Sequence, residues 1–161
     1  MSETTNAPID RLTRLEVMVA CRDLSDRYAL AVNSNDVDAF VALFTDDAIW
    51  ERPAMALNGP GEIRAFIAGQ FSQARQVRHL NGHCVVDVID ADTGQVRSAT
   101  TVYEMADTGE GVTNLPPPAL IAEYETTMVR RGEAWKIRRH KAVVRFVSEH
   151  SLGLPGVSKP R

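Results

Sequence analysis

The sequence predicts an α+β domain, with helices packed on one face of a strongly curved, mostly antiparallel sheet. Three observations carry this. The first half of the chain has apolar residues at helical spacings. The second half has four segments rich in β-branched residues with partial alternation, separated by turn signals. The order of elements, α-α-β-α-β-β-β-β, segregates helices from strands, the pattern of helices covering one side of an antiparallel sheet. One-sided cover on a curved sheet leaves a concavity where a ligand pocket can form.

Residues 1–8 are polar and are expected to be disordered. From Ile9 the apolar residues Ile9, Leu12, Leu15, Val17, Val19, Leu24, Tyr28, Leu30 and Val32 suggest one long helix with a broad stripe. "SND" (34–36) offers caps to end that helix and start the next. "VDAFVALF" (37–44) reads as a short apolar helix broken by "TDD". "AIWERP" (48–53) reads as a strand closed by a proline, "NGPG" (58–61) as a turn, and "EIRAFIAGQFSQAR" (62–75) as a third helix. The four later strands are "VRHLNGHCVVDVID", "QVRSATTVYEM", "LIAEYETTMVRR" and "AWKIRRHKAVVRFV". The turns between them are "DADTG", "ADTGEG" with the loop "NLPPP", and "RGE". The expected domain spans 9–147, with an irregular tail over 148–161.

Bulk properties exclude several classes of function. The 161 residues fit one domain with a single core. Hydrophobic content of 44% and charged content of 24% are ordinary for a globular protein. A net charge of −3 gives no reason to expect nucleic acid or an acidic membrane as partner. Two distant cysteines, Cys21 and Cys84, form neither a disulfide framework nor a metal motif. "MSETTNAPIDRL" has no apolar signal core, and no apolar run reaches the ~20 residues that span a bilayer, so a cytoplasmic protein is expected. There is no GxGxxG, P-loop, GxSxG or HExxH, which leaves nucleotide, flavin and serine-hydrolase chemistry without support.

The histidines in "RHLNGH" (78–83) raise the question of metal. On a strand His79 and His83 would stand about 13 Å apart, at ~3.3 Å per residue, whereas one zinc ion holds each ligand nitrogen at ~2.1 Å. Were "LNG" a tight turn, the two could approach each other; on the strand reading no metal is expected, and the missing motifs give no reason to expect another cofactor. As a general base His79 needs neither, because imidazole titrates near neutral pH. The plainer reading is a histidine hydrogen-bonded within the sheet.

Tyr28 lies on the helical stripe, either as a core tyrosine or as a donor to an oxygen gaining charge. Trp50 and Arg52 share one face of their strand, either as a core aromatic beside an exposed cation or as a wall for a ring substrate. In "AEYETT", Glu123 and Glu125 share one face, Tyr124 and Thr126 the other. Two solvated glutamates are the common case, but Glu125 in a pocket would be a second acid or base. His140 sits among Lys136, Arg138, Arg139 and Lys141; facing inward, it would be kept neutral by those cations.

Four stretches, in order, carry a family resemblance: "DRYALAVNSNDVDAFVALFTDDAIWE", "GPGEIRAFI", "RHL" and "GEAWKIRRH". Together they resemble SnoaL-like domains of the NTF2-like superfamily over residues 10–147. The resemblance implies a cone with three helices and a deep pocket. In its dehydratase and dehydrochlorinase branch, a histidine of the first long strand is the base and matches His79. The aspartate that orients it falls on Asn33, a departure. Tyr28 matches the oxyanion tyrosine of ketosteroid isomerases, but their catalytic aspartate falls on Arg52, against a steroid isomerase. A cation of some dehydrochlorinases falls on His140.

The implied function is a cofactor-independent lyase that eliminates water, halide or a small aldehyde from a small apolar, aromatic or cyclic molecule. His79, Tyr28 and Asn33 would be catalytic; Trp50, Arg52, His83, Glu125 and His140 would bind substrate. A homo-oligomer, dimer or trimer, is expected. The alternatives are an isomerase or cyclase using the same proton shuttle, or a non-catalytic module of the kind found as small subunits of ring-hydroxylating dioxygenases.

Overall fold

The structure is a computed structural model that describes residues 9–73, 75–106, 109, 112, 114–149 and 151. The disorder expected for 1–8, most of the tail and part of the turn at 106–111 lie outside the described residues.

Helix α1 (Arg11–Asn33) starts at Asp10, whose carboxylate accepts from the N–H groups of Leu12 and Thr13 at 2.9 and 3.0 Å. It ends at Ser34, and Asn35 takes a positive φ of 54°, which asparagine tolerates. Asp36 then caps α2 (Val37–Ala42) by accepting from Ala39 N–H. "SND" therefore does end one helix and start the next.

The stripe on α1 is narrower than the sequence suggests. Val17, Cys21, Leu24, Tyr28, Ala31 and Val32 are buried, at helical spacings of three and four. Leu12, Leu15, Val19 and Leu30 are exposed. Leu15, Val19 and Leu30 are each two residues from a neighbour in the expected stripe, and two residues rotate a side chain to the far face.

α2 stops two residues earlier than expected, and β1 (Phe44–Arg52) begins at once. "TDD" does not break the chain. It falls in the stretch where β1 shifts register against β6, between Phe44 and Ile49. At Pro53–Ala54 the chain turns back into a strand absent from the sequence expectation, β2 (Met55–Asn58), antiparallel to β1. Four residues are too few for alternation to be read. Helix α3 (Gly59–Phe71) starts earlier than expected, with Pro60 in its first turn and Glu62 accepting from Asn58 N–H at 2.7 Å.

The long strands β3 (Arg75–Asp90), β4 (Thr93–Ala106), β5 (Leu120–Arg131) and β6 (Ala134–Val147) fall where expected. The sheet order is β2-β1-β6-β5-β4-β3, with β1 parallel to β6 and the other pairs antiparallel. β3 is thus an edge. α1 laces along it: Arg22 Nη2 donates to Cys84 O, Asn81 Nδ2 to Ser25 O, and Arg78 Nη1 to Asn33 O. At one end of the interior Phe40, Phe44, Trp50 and Ile63 pack as a dry core, with Phe40 and Trp50 rings 5.3 Å apart.

Close approach between α1 and the sheet occurs at Gly94. A Cβ there would lie 2.5 Å from Cys21 Sγ. Cys21 is fully buried, and burial pushes its thiol up to about 12, so it packs as an apolar group. We predict that Gly94→Ala costs ~1–3 kcal/mol in urea unfolding. Cys21→Ala in the same chain should recover part of that loss. Equal stability of Gly94→Ala and the parent would contradict the contact.

Candidate active site

The opposite end of the interior is open. A cavity lies between the sheet, α1 and α3, taking in about 790 Å³ that includes open solvent. Its polar lining includes Tyr28, Arg52, His79, Tyr124 and the pair Arg75–Glu104; its apolar lining includes Trp50, Val102 and Leu120.

His79 reaches the cavity from β3. The residue is half-buried, but Nδ1 is shielded from water and has no hydrogen-bond partner. Burial first, and the Arg52 charge second, push its pKa down to about 4. The ring is therefore neutral at physiological pH, with a free nitrogen at the cavity wall.

Asn33 does not orient the imidazole. Its Oδ1 accepts from His79 N–H at 2.6 Å, and its Nδ2 donates to His79 C=O at 3.3 Å. Both bonds go to the backbone at the free edge of β3, so Asn33 acts as one residue of an extra strand. An aspartate could accept the first bond but not donate the second.

Tyr28 is buried and its hydroxyl is pushed up to about 12, mainly by burial. The Arg52 charge and the Trp50 indole nitrogen, near the hydroxyl but out of hydrogen-bond geometry, oppose that rise. Burial also raises Tyr124, so both phenols keep their protons.

His140 lies beneath the cavity rather than on its wall. It lines a smaller adjoining space of about 280 Å³. Register sets it between Trp50 and Thr126, and its Nδ1 shares a 2.9 Å hydrogen bond with Thr126 Oγ1. Its ring stacks on Tyr28 at 4.7 Å, and Nε2 is buried without a partner. Its pKa is pushed down to about 3, by burial, then Arg52, then His79. The depression expected from sequence is present, but its causes are burial and Arg52 rather than the cations of its own strand.

Trp50 and Arg52 both line the cavity, and the guanidinium lies 5.1 Å from the Trp50 ring centre. Besides His140, two more expected substrate contacts lie off the cavity wall. His83 is exposed, in the stretch of β3 where register shifts between Asn81 and Cys84. Glu125 faces solvent, 3.5 Å from Lys141, as Glu123 does beside Arg145.

Tyr124 takes the inward position instead. The alternation of "AEYETT" carries that signal, since Ala122, Tyr124 and Thr126 form the uncharged face. The ion pair Arg75–Glu104, 3.4 Å with side chains 10% and 1% exposed, had no local signal. Its partners stand far apart in sequence. Among the described residues, no group of three His, Cys, Asp or Glu could hold a metal, and no helix is long and apolar enough to cross a membrane.

Curved sheet, three helices and the cavity between them together define an NTF2-like cone. The chain matches the SnoaL-like domain model over residues 13–141 and belongs to that family. A candidate scytalone dehydratase from Novosphingobium aromaticivorans has a TM-score of 0.77 at 20% identity, over 89% of this chain and 94% of that one. A protein of unknown function from Mycobacterium tuberculosis has 0.72 at 21%, over 87% and 78%. A hexachlorocyclohexane dehydrochlorinase (LinA type 2) has 0.67 at 18%, over 92% and 100%. At these identities the likeness is one of fold. Among curated proteins none matches this chain.

Two predictions follow from the geometry. Only Asn33 Oδ1 accepts the His79 N–H, so Asn33→Ala should speed hydrogen exchange at that amide and destabilise the fold by ~1–3 kcal/mol. Unchanged exchange would mean the edge is held by other bonds.

The second concerns pH. His79 and His140 have folded pKa values below the ordinary 6.5, so as pH falls the unfolded chain takes up their protons first. Their contribution is intact above pH 6.5 and is lost between there and about 4 for His79 and about 3 for His140. Each should cost ~1.4 kcal/mol per pH unit within its window. Urea unfolding should show this decline, and His140→Gln should flatten it. An identical slope in that variant would remove His140 as a source.

Proposed function

We propose that this protein is a cofactor-free lyase acting on a small, largely apolar cyclic molecule, with His79 as its proton acceptor. The observation that carries the reading is the neutral, unpartnered Nδ1 of His79 on the wall of a largely apolar cavity. A neutral imidazole can take a proton from the carbon beside a departing water or halide, or from the hydroxyl of a hydroxyalkyl group that leaves as an aldehyde while the C–C bond electrons pass to the adjoining carbonyl, and return it to solvent or to the product carbon. Tyr28 and Tyr124 retain their protons and line the same cavity, so they can donate to the oxygen that gains charge. Asn33 positions the base through its backbone. The leaving group is water, halide or a small aldehyde. Two fold relatives bear names of eliminating enzymes, a scytalone dehydratase candidate and a dehydrochlorinase, which supports elimination as the reaction class.

A second reading is a binding module without turnover. The low basicity of His79 in the empty cavity favours it.

The test is a panel of cyclic β-hydroxy and β-halo carbonyl compounds, followed by mass spectrometry for loss of water or hydrogen halide. With an active compound, kcat/KM should stay level from pH 8 to about 5 and fall towards the His79 pKa of about 4. His79→Gln should lower kcat by ~10²-fold or more. Near-normal turnover by a folded His79→Gln protein would end the lyase assignment to His79.

A further inference from the structure

We propose that the cavity takes a ligand bearing a carboxylate on an apolar ring system, and that Arg52 seats the carboxylate. This deepens the reading above and rests on it only in taking the cavity as the substrate site.

The charges on the wall do not balance. Arg75 and Glu104 pair with each other, and Arg75 Nη2 also donates to Gln70 Oε1 at 2.7 Å. Tyr28 and Tyr124 are held protonated and His79 neutral. The Arg52 guanidinium is left as the one unmatched charge among the described lining residues. Its Nε is sealed from water without an acceptor, and no ion pair or hydrogen bond engages the group among the described residues. Several exposed arginines do have acidic partners: Arg27 with Asp23, Arg97 with Asp87, Arg139 with Glu51. Arg52 is half-buried, where water solvates it less well than it does those exposed cations. Such a group is costly unless something pairs it.

The surroundings of Arg52 say what would pair it. The guanidinium carbon lies 5.1 Å from the Trp50 ring centre and 5.2 Å from that of Phe66. Contact with ring faces holds the cation in place while leaving its N–H edge unused. That edge is a planar fork matching a carboxylate. The neighbouring wall is apolar, with Ile67, Phe71, Val102 and Leu120, which suits the ring that carries the acid.

The placement has a consequence for His79. Of the charges acting on that imidazole, Arg52 is the one that lowers its basicity beside burial. A carboxylate on Arg52 cancels that influence. Binding of the anion then makes His79 a stronger base than it is in the empty cavity.

Binding separates this from the lyase reading. The affinity of 2-naphthoate and of its neutral isostere 2-naphthamide is measured calorimetrically at pH 7, for the parent protein and for Arg52→Gln, Arg52→Met, Arg75→Gln and His79→Gln. The parent should bind the naphthoate at least about ten-fold tighter than the amide. Arg52→Gln should abolish that preference and leave amide binding unchanged, whereas His79→Gln should keep it. A failed turnover assay therefore leaves this proposal standing, and a lost preference leaves the His79 assay standing. Equal affinity for the two probes in the parent would overturn the proposal. So would a preference that survives Arg52→Gln and disappears in Arg75→Gln. An independent measurement uses no probe: without ligand, Arg52→Met should melt no lower than the parent, because it removes an unmatched charge and keeps the bulk against Trp50. A melting temperature several degrees lower would make Arg52 a structural residue and overturn the assignment.

Discussion

The two hydrogen bonds between the Asn33 amide and the His79 backbone close the open edge of the sheet against the end of α1. The cavity depends on that closure. β3 is an edge strand, and its N–H and C=O groups would otherwise face solvent or another chain. Arg22, Asn81 and Arg78 tie the helix to the same strand, but only Asn33 takes both backbone groups of one residue. The tie falls at the residue whose side chain enters the cavity. Fixing the backbone of His79 fixes where its ring can be, without any contact to the ring. This accounts for an asparagine where relatives of the dehydratase branch are expected to carry an aspartate. The bond to C=O requires a donor, and a carboxylate has none.

Enclosure then sets the protonation of everything inside. For His79, His140, Tyr28 and Tyr124 burial is the first cause of the shift, ahead of any individual charge. It acts in one sense, favouring the neutral form of each group. Arg52 adds to this for the imidazoles and opposes it for the phenols. At rest both imidazoles are thus neutral and both phenols protonated.

The sequence made the architecture legible because its signals are long. Four strands of 12 to 16 residues and a helix of 23 give periodicity room to show. The short elements escaped. β2 has four residues, and the boundary between α2 and β1 falls inside an apolar run that suits either. Site residues divided the same way. His79 and Tyr28 were legible at family positions, Trp50 and Arg52 from the alternation of their strand, and all four line the cavity. His83 was not, because the register shift between Asn81 and Cys84 breaks the alternation that would have aimed it. Glu125 was chosen for its chemistry over Tyr124, although alternation placed Tyr124 with the apolar face. Arg75 and Glu104 meet only because β3 and β4 lie side by side in this register, which no local pattern foretells.

The interior divides into a part that holds the fold and a part that is left unfinished. Phe40, Trp50, Ile63, Met128 and Ile137 are almost fully excluded from solvent and pack ring against ring and chain against chain. On the cavity side the same sheet carries two imidazole nitrogens and a guanidinium without a partner among the described residues. Each of those lowers stability, and an apolar filling would remove the cost. Trp50 joins the two parts. Its ring is in the dry core, and one face supports Arg52 at the cavity wall. The tight end of the cone thus fixes the charge that the open end leaves unmatched, a rigid support behind a group kept free for a ligand.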